Sequence, residues 1–158
     1  MTITIFLDYD NVLHRCDSYV TPSGIIGAPG AVLFEYAEQL ASLLQPFATE
    51  IVISSDWVSA VGFEAARDAL PSARLRERVV GTSQPEDGVI NAFRKLPRGV
   101  QVQRYVKAHR LVRWLAIDDR ADGFENCRDR LVRCQESVGL GDIDVQQLLS
   151  LRLHKLSE

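Results

Sequence analysis

The sequence predicts an α/β fold built on a mainly parallel five-stranded sheet. Three observations predict it. Short β-branched runs alternate with longer segments of helical period, the pattern of strands joined by crossover helices. The first strand candidate is almost wholly apolar, as a strand covered by helices on both faces is. The length of 158 residues, 46% hydrophobic and 25% charged, suits one domain over 1–158 with a real core.

In chain order, Thr2 to Leu7 is the first strand, and it ends on Asp8-Tyr9-Asp10-Asn11. Residues 12–30 read as irregular apart from a small β-hairpin. There Tyr19-Val20 and Ile25-Ile26 flank Thr21-Pro22-Ser23-Gly24, with Pro and Gly where a type I turn accepts them. Helical period governs 31–45, where Leu33, Tyr36, Ala37, Leu40, Ala41 and Leu44 share a face and Pro46 marks the end. Ile51-Val52-Ile53 is the next strand and runs into Ser54-Ser55-Asp56. A helix is expected from Trp57 to Leu70, before Pro71, and a weak strand at Arg78-Val79-Val80. A loop follows from Gly81 to Asp87, then a short helix near Val89 to Lys95 and a helix from Gly99 to His109. Trp114 to Ile117 is a strand ending on Asp118-Asp119, and Arg130 to Cys134 is the fifth. The last helix runs from Ile143 to His154, with Asp142 as its N-cap.

Several function classes fall away. No apolar run reaches the roughly 18 residues of a membrane span. Asp8 interrupts the N-terminus before a signal-peptide core could be completed, so a cytoplasmic protein with no membrane partner is expected. The three cysteines, Cys16, Cys127 and Cys134, fit neither a disulfide framework nor a paired metal motif, and read as structural. A net charge of −3 argues against general nucleic-acid binding.

The chemistry gathers at strand ends: Asp8 and Asp10, Ser54 and Ser55, Asp118 and Asp119. In an open α/β sheet, ligands bind beyond the carboxyl ends of the strands, where parallel strands would bring these tips together. Carboxylates crowded in one cleft repel and are costly to desolvate, so a positive partner is required. An oxygen-only set without paired His or Cys favours a hard cation such as Mg²⁺, which takes one or two carboxylates plus water and phosphate oxygens. Taken alone, an Asp after a strand is as readily a turn residue or helix cap.

These residues are recognisable. Asp8-Tyr9-Asp10 after Ile5-Phe6-Leu7, Ser54 after Ile51-Val52-Ile53, and Ile117-Asp118-Asp119 resemble motifs I, II and IV of the haloacid dehalogenase-like (HAD) superfamily. The hairpin is similar to the flap that follows the first strand of that fold, here within about residues 12–30. Ser54-Ser55-Asp56-Trp57 and the segment Trp114 to Asp119 resemble small bacterial HAD-domain proteins similar to the HAD domain associated with RNA-repair proteins. The resemblance runs from Ile3 to about Leu153 and implies a three-layer α/β/α Rossmann-like domain with little or no cap. It implies a Mg²⁺-dependent phosphatase acting through an aspartyl-phosphate. Asp8 would be the nucleophile, Asp10 the general acid and base, and Ser54 a phosphate-binding hydroxyl. Asp8, Asp10, Asp118 and Asp119 would form the metal site, with Asp122 a further candidate that reads otherwise as a surface-loop residue. As an acid, Asp10 would need its pKa raised above the ordinary value of about 3.9.

Two positions depart from the family pattern or leave it open. Asn11 stands where the family commonly has Gly, and Asn tolerates a left-handed backbone. The motif III cation is favoured to be Arg98, with Lys95 as runner-up and Arg104 on the solvated face of its helix. Ser55, Lys95 and Asn11 are the alternatives for phosphate contact. Arg94, Lys95, Arg98, Arg104, Lys107, Arg110 and Arg113 form a basic strip, read first as a solvated face and second as a guide for a polyanion. His14 is expected in solvent, and Trp57 and Trp114 in packing. The substrate is then a phosphorylated small molecule or a phosphorylated nucleic-acid end. A catalytically weak domain that binds a phosphorylated ligand or a protein is the rival reading.

Overall fold

The computed structural model of the chain describes residues 1–85 and 90–158. Its sheet is formed by β1 (Ile3–Leu7), β4 (Thr49–Ile53), β5 (Val79–Thr82), β6 (Trp114–Asp118) and β7 (Leu131–Arg133). The order is β5-β4-β1-β6-β7 and every pairing is parallel. The short antiparallel hairpin is β2 (Tyr19–Thr21) with β3 (Gly24–Ile26). Helices α1 (Ala37–Leu44), α2 (Trp57–Val61), α3 (Phe63–Asp68), α4 (Ala73–Arg76), α5 (Ile90–Arg94), α6 (Arg98–Ala108) and α7 (Ile143–Ser157) connect and flank the strands.

Strand alternation divides the core into two layers. Ile3, Ile5 and Leu7 pack with α1 and α7 through Leu40, Leu44, Leu149 and Leu153. Phe6 faces the other way and packs with Val52, Ala116 and Val102 of α6. Phe6 meets Tyr105 and Trp114 edge-on, at 5.5 and 5.8 Å between centroids. Helices therefore cover both faces, the three-layer α/β/α arrangement expected. The chain leaves β1 toward β4 and β5, then returns to the other side of β1 for β6 and β7. That reversal opens a crevice at the carboxyl ends of β1, β4 and β6. The register aligns those ends, since Leu7 pairs with both Ile53 and Ile117. Asp8, Ser54 and Asp118 are each the next residue.

Three expectations need correction. Residues 31–36 are not helical: α1 begins at Ala37, and Phe34 adopts φ +59°. Leu33 and Phe34 keep the apolar period but pack against the core cluster from an irregular turn, which Tyr36 N–H anchors to Leu13 C=O at 2.9 Å. The single helix expected at 57–70 is two, because Gly62 at φ +89°, ψ +161° has no place inside a helix. Its N–H closes α2 on Val58 C=O and its C=O opens α3 by accepting from Ala66 N–H. The loop expected from Gly81 begins inside β5, and α4 was not expected at all. The part of that loop at Glu86 and Asp87, and the helix start at Val89, lie outside the described residues. Asp142 does cap α7, accepting from Asp144 N–H at 2.9 Å. Among the described residues, no helix is long and apolar enough to cross a membrane.

Candidate active site

The sheet register builds the centre of the site. Asp8 N–H donates to Ile117 C=O at 3.2 Å and Ser54 N–H to Leu7 C=O at 2.9 Å, which extends the ladder one step past the strands. Tyr9 turns the opposite way, is fully buried, and its hydroxyl donates to Ala66 C=O at 2.7 Å. That anchor holds the turn carrying Asp8. Carboxylate oxygens of Asp8, Asp118 and Asp119 lie within 4.8 Å of one another, the first two buried and the third half-buried.

Arg98 is the buried counter-charge. Its Nη1 is 3.9 Å from Asp8 and 3.7 Å from Asp118, and its Nη2 is 3.7 Å from Asp56. Nη1 also donates to Ser54 C=O. The start of α6 is fixed to the loop after β6: Arg98 N–H donates to the Asp122 carboxylate at 3.0 Å and Gly99 N–H to Asp122 C=O at 2.8 Å. Asp122 also takes a two-pronged contact from Arg120, at 3.0 and 2.7 Å. It is thus a staple for the Arg98 helix rather than a member of the acidic group.

Burial governs the titration of the trio, because a desolvated carboxylate favours its neutral form. It pushes Asp8 up to about 7, with Arg98 opposing and Asp119 adding. It pushes Asp118 up to about 8, where the charge of Asp8 adds and Arg98 opposes. Asp119 rises to about 6 through burial and then Asp118. Burial works against the charge on Arg98, but Asp118, Asp8 and Asp56 outweigh it and hold the guanidinium above its ordinary pKa.

A cation fits this centre. Asp8, Asp118 and Asp119 crowd together, and Arg98, which is also within 3.7 Å of Asp56, brings only one positive charge, so negative charge is left over for a cation. Buried polar atoms without a hydrogen-bond partner among the described residues include the acceptor Asp118 Oδ2 and the donor groups Ser54 Oγ and Arg98 Nε. Such atoms are costly to leave unpaired. An oxygen acceptor suits a hard metal ion, and donors of this kind suit an anionic oxygen.

Other candidates stand elsewhere. Asp10, expected among the metal ligands, is not in the group formed by Asp8, Asp118 and Asp119. It accepts from His14 Nε2 at 2.8 Å, Ser18 Oγ at 2.7 Å, Ser18 N–H at 3.0 Å and Trp57 Nε1 at 3.1 Å. Burial works against ionisation there, but these donors outweigh it and hold the carboxyl below its ordinary value, not above it as an acid role asks. A cleft of about 450 Å³ opens beside Asp10, between Trp57, Tyr19, Ile25 and Arg94. Asn11 has the left-handed backbone its position asks for, φ +59°. Its side chain is engaged by Asp17 and by Ser137 N–H, at 2.8 and 2.9 Å, so it ties loops rather than offering itself to phosphate. Ser55 Oγ accepts from Trp57 N–H at 3.2 Å at the head of α2. Lys95 is exposed, without an ion pair among the described residues. His14 is fully buried rather than solvated. Trp57 and Trp114 are buried in packing, with Trp57 also lining the cleft, and Cys16 and Cys134 are buried while Cys127 is half-buried. Sequence reasoning missed the grip of His14, Ser18 and Trp57 on Asp10, and the contact of Asp56 with Arg98. The i, i+4 spacing of Asp10 and His14 was the available signal.

Comparison with protein-family models finds a match over residues 4–145 to a family described as the HAD domain in Swiss Army Knife RNA repair proteins. Comparison with curated proteins finds no match.

Proposed function

The chain belongs to the family of HAD domains found in Swiss Army Knife RNA repair proteins, and from that premise we propose that it is a Mg²⁺-dependent phosphomonoester hydrolase with Asp8 as nucleophile. The observation that carries this reading is the buried group of Asp8, Asp118, Asp119 and Arg98, with unpaired donors and an unpaired acceptor beside it. Asp8, Asp118 and Asp119 would hold the ion, which supplies charge neutralisation of the phosphoryl group and of the carboxylates around it.

The chain's own residues do the rest. Arg98 and the Ser54 hydroxyl bind phosphoryl oxygens, and the fixed fork of Arg98 orients them for in-line attack. Asp8 attacks phosphorus while Asp10 protonates the leaving oxygen, giving an aspartyl-phosphate. Asp10 then takes a proton from the water that releases phosphate. The donors around Asp10 keep it ionised in the free protein, which favours this second, basic half of its role.

A phosphorylated nucleic-acid end is the substrate favoured by the family's place in RNA repair proteins. The exposed Arg104 and Lys107 line a hollow of about 530 Å³ together with Asp122 and Glu125, so its charge is mixed and the preference rests on the family. The decisive experiment is phosphate release from p-nitrophenyl phosphate with and without Mg²⁺, in wild type and Asp8→Asn. Metal-dependent release, lost in the variant, is the expected result. A variant as active as wild type refutes the assignment of Asp8. A wild type inactive on this ester and on a 3′-phosphorylated oligonucleotide leaves the binding-domain reading in its place.

A further inference from the structure

The environment of Asp10 carries an inference that rests on the phosphatase reading and extends it. The two oxygens of its carboxylate are unequally used. Oδ1 takes three side-chain donors, from His14, Ser18 and Trp57, which fills its lone-pair directions. Oδ2 takes the Ser18 backbone N–H alone and keeps capacity for one more partner. The side chain is 27% exposed and lines the cleft beside Trp57 and Tyr19, so a group bound in that cleft can approach the carboxylate.

The donors are themselves fixed. His14 Nδ1 accepts from Phe34 N–H at 3.1 Å, so the neutral ring carries its hydrogen on Nε2 and donates it to Asp10. The ring is fully buried and met edge-on by Phe34, at 5.3 Å between centroids. Phe34 makes its contact from φ +59°, a conformation that a bulky residue adopts only when its surroundings impose it. Trp57 Nε1–H is shared between Asp10 and Ser18 Oγ, the latter at 2.8 Å, which leaves the serine hydrogen to point at Asp10. Trp57 packs in turn on Tyr9 and Phe34.

We propose that His14, Ser18 and Trp57 are positioning residues that commit Asp10 to exchanging protons through Oδ2, and so set how well the enzyme handles leaving groups that need a proton. In the first half-reaction the bond from phosphorus to the leaving oxygen breaks as the bond to Asp8 forms. A proton that Oδ2 has taken up from solvent in the substrate complex passes to the leaving oxygen, which departs as a neutral alcohol. In the second, the oxygen of water bonds to phosphorus as the Asp8–phosphorus bond breaks, and Oδ2 regains a proton from that water.

The test compares two esters of similar size, p-nitrophenyl phosphate and 2-(4-nitrophenyl)ethyl phosphate. A nitrophenolate leaves without a proton, whereas an alkoxide needs one. The value of kcat/KM reports the steps through departure of the leaving group. His14→Ala is expected to lower the alkyl-to-aryl ratio of kcat/KM at least tenfold, within the roughly 10²–10⁴-fold that general acid catalysis supplies. His14→Gln, whose amide N–H reaches toward Oδ1, restores part of that ratio. Ser18→Ala shifts the ratio in the same direction and carries the test if His14→Ala does not fold. Equal losses on both esters in folded variants, or an unchanged ratio in all of them, overturn the positioning role and leave the phosphatase reading intact. Wild type inactive on both esters overturns the phosphatase reading and this inference with it.

Discussion

Replacing Gly99 with alanine sets two effects against each other. Alanine gains up to about 1 kcal/mol over glycine inside a helix. The position, however, is the second residue of α6, where the backbone of the loop after β6 passes against it. A Cβ on residue 99 would stand 2.2 Å from the carbonyl carbon and oxygen of Gly123 and 2.6 Å from Phe124 N. Carbon atoms settle at roughly 3.5–4.0 Å, so the helix start and the loop must part by more than about 1 Å. Backbone cannot rotate aside as a side chain can. Overpacking of this kind costs about 1–3 kcal/mol. The bonds from Gly99 N–H and Arg98 N–H to Asp122 are stretched as well, at about 1 kcal/mol each. The clash wins, and a net loss of about 2–4 kcal/mol is expected, or a fall in Tm of about 4–16 °C at this chain length. Arg98 moves with the helix start, and a displacement near 1 Å at such a group lowers kcat/KM on the order of 10²-fold. Urea unfolding followed by the fluorescence of the buried Trp57 and Trp114 reads the first effect, and phosphate release the second. A Gly99→Ala protein as stable and as active as wild type would refute the argument that this contact seats Arg98.

Two further predictions follow from the same geometry. Without divalent metal, stability falls as pH rises from about 4 to about 8, because Asp8, Asp118 and Asp119 titrate above the ordinary value of 3.8 in the folded chain and so bind more protons folded than unfolded. Each such proton contributes a slope of about 1.4 kcal/mol per pH unit. Urea melts at pH 5 and pH 8 in EDTA check the sign, Mg²⁺ is expected to restore the loss at pH 8, and Asp118→Asn to flatten the profile. Equal stability at both pH values in EDTA would count against a desolvated trio. Gly62→Ala forces a side chain into φ +89°, ψ +161° and should cost about 1–3 kcal/mol, with little effect on the arrangement of Asp8 and Arg98. A thermal melt matching wild type would show that the α2–α3 junction relaxes at no cost.

The parts of this protein legible in the sequence are those set by local rules. Central strands announce themselves by unbroken apolar runs, and Asp8, Ser54 and Asp118 by standing directly after them. Arg98 was legible from its place before a helix. What escaped was set by contacts between distant segments. Phe34 keeps a helical period, yet its backbone is turned by the need to cap His14, twenty residues earlier. His14 looks like a polar loop residue until Asp10, Phe34 and Trp57 close around it. Asp122 gains its role only because Gly99 and Gly123 let two backbones touch. The break at Gly62 was legible in principle, since glycine in mid-helix is a warning. The helical period on both sides of it outweighed that warning.

The shared register of β1 with β4 and β6 bears on how the protein comes into being. Asp8 leaves the ribosome some ninety residues before Arg98 and some one hundred and ten before Asp118 and Asp119. Until β6 docks, Asp8 lacks the acidic neighbours Asp118 and Asp119, and a one-residue slip of a strand would turn that strand's own site residue to the opposite face. Nascent and misregistered chains thereby lack the assembled group of Asp8, Asp118, Asp119 and Arg98. With the proposed activity as the readout, its recovery after dilution from denaturant would clock the last long-range pairing, not the first collapse.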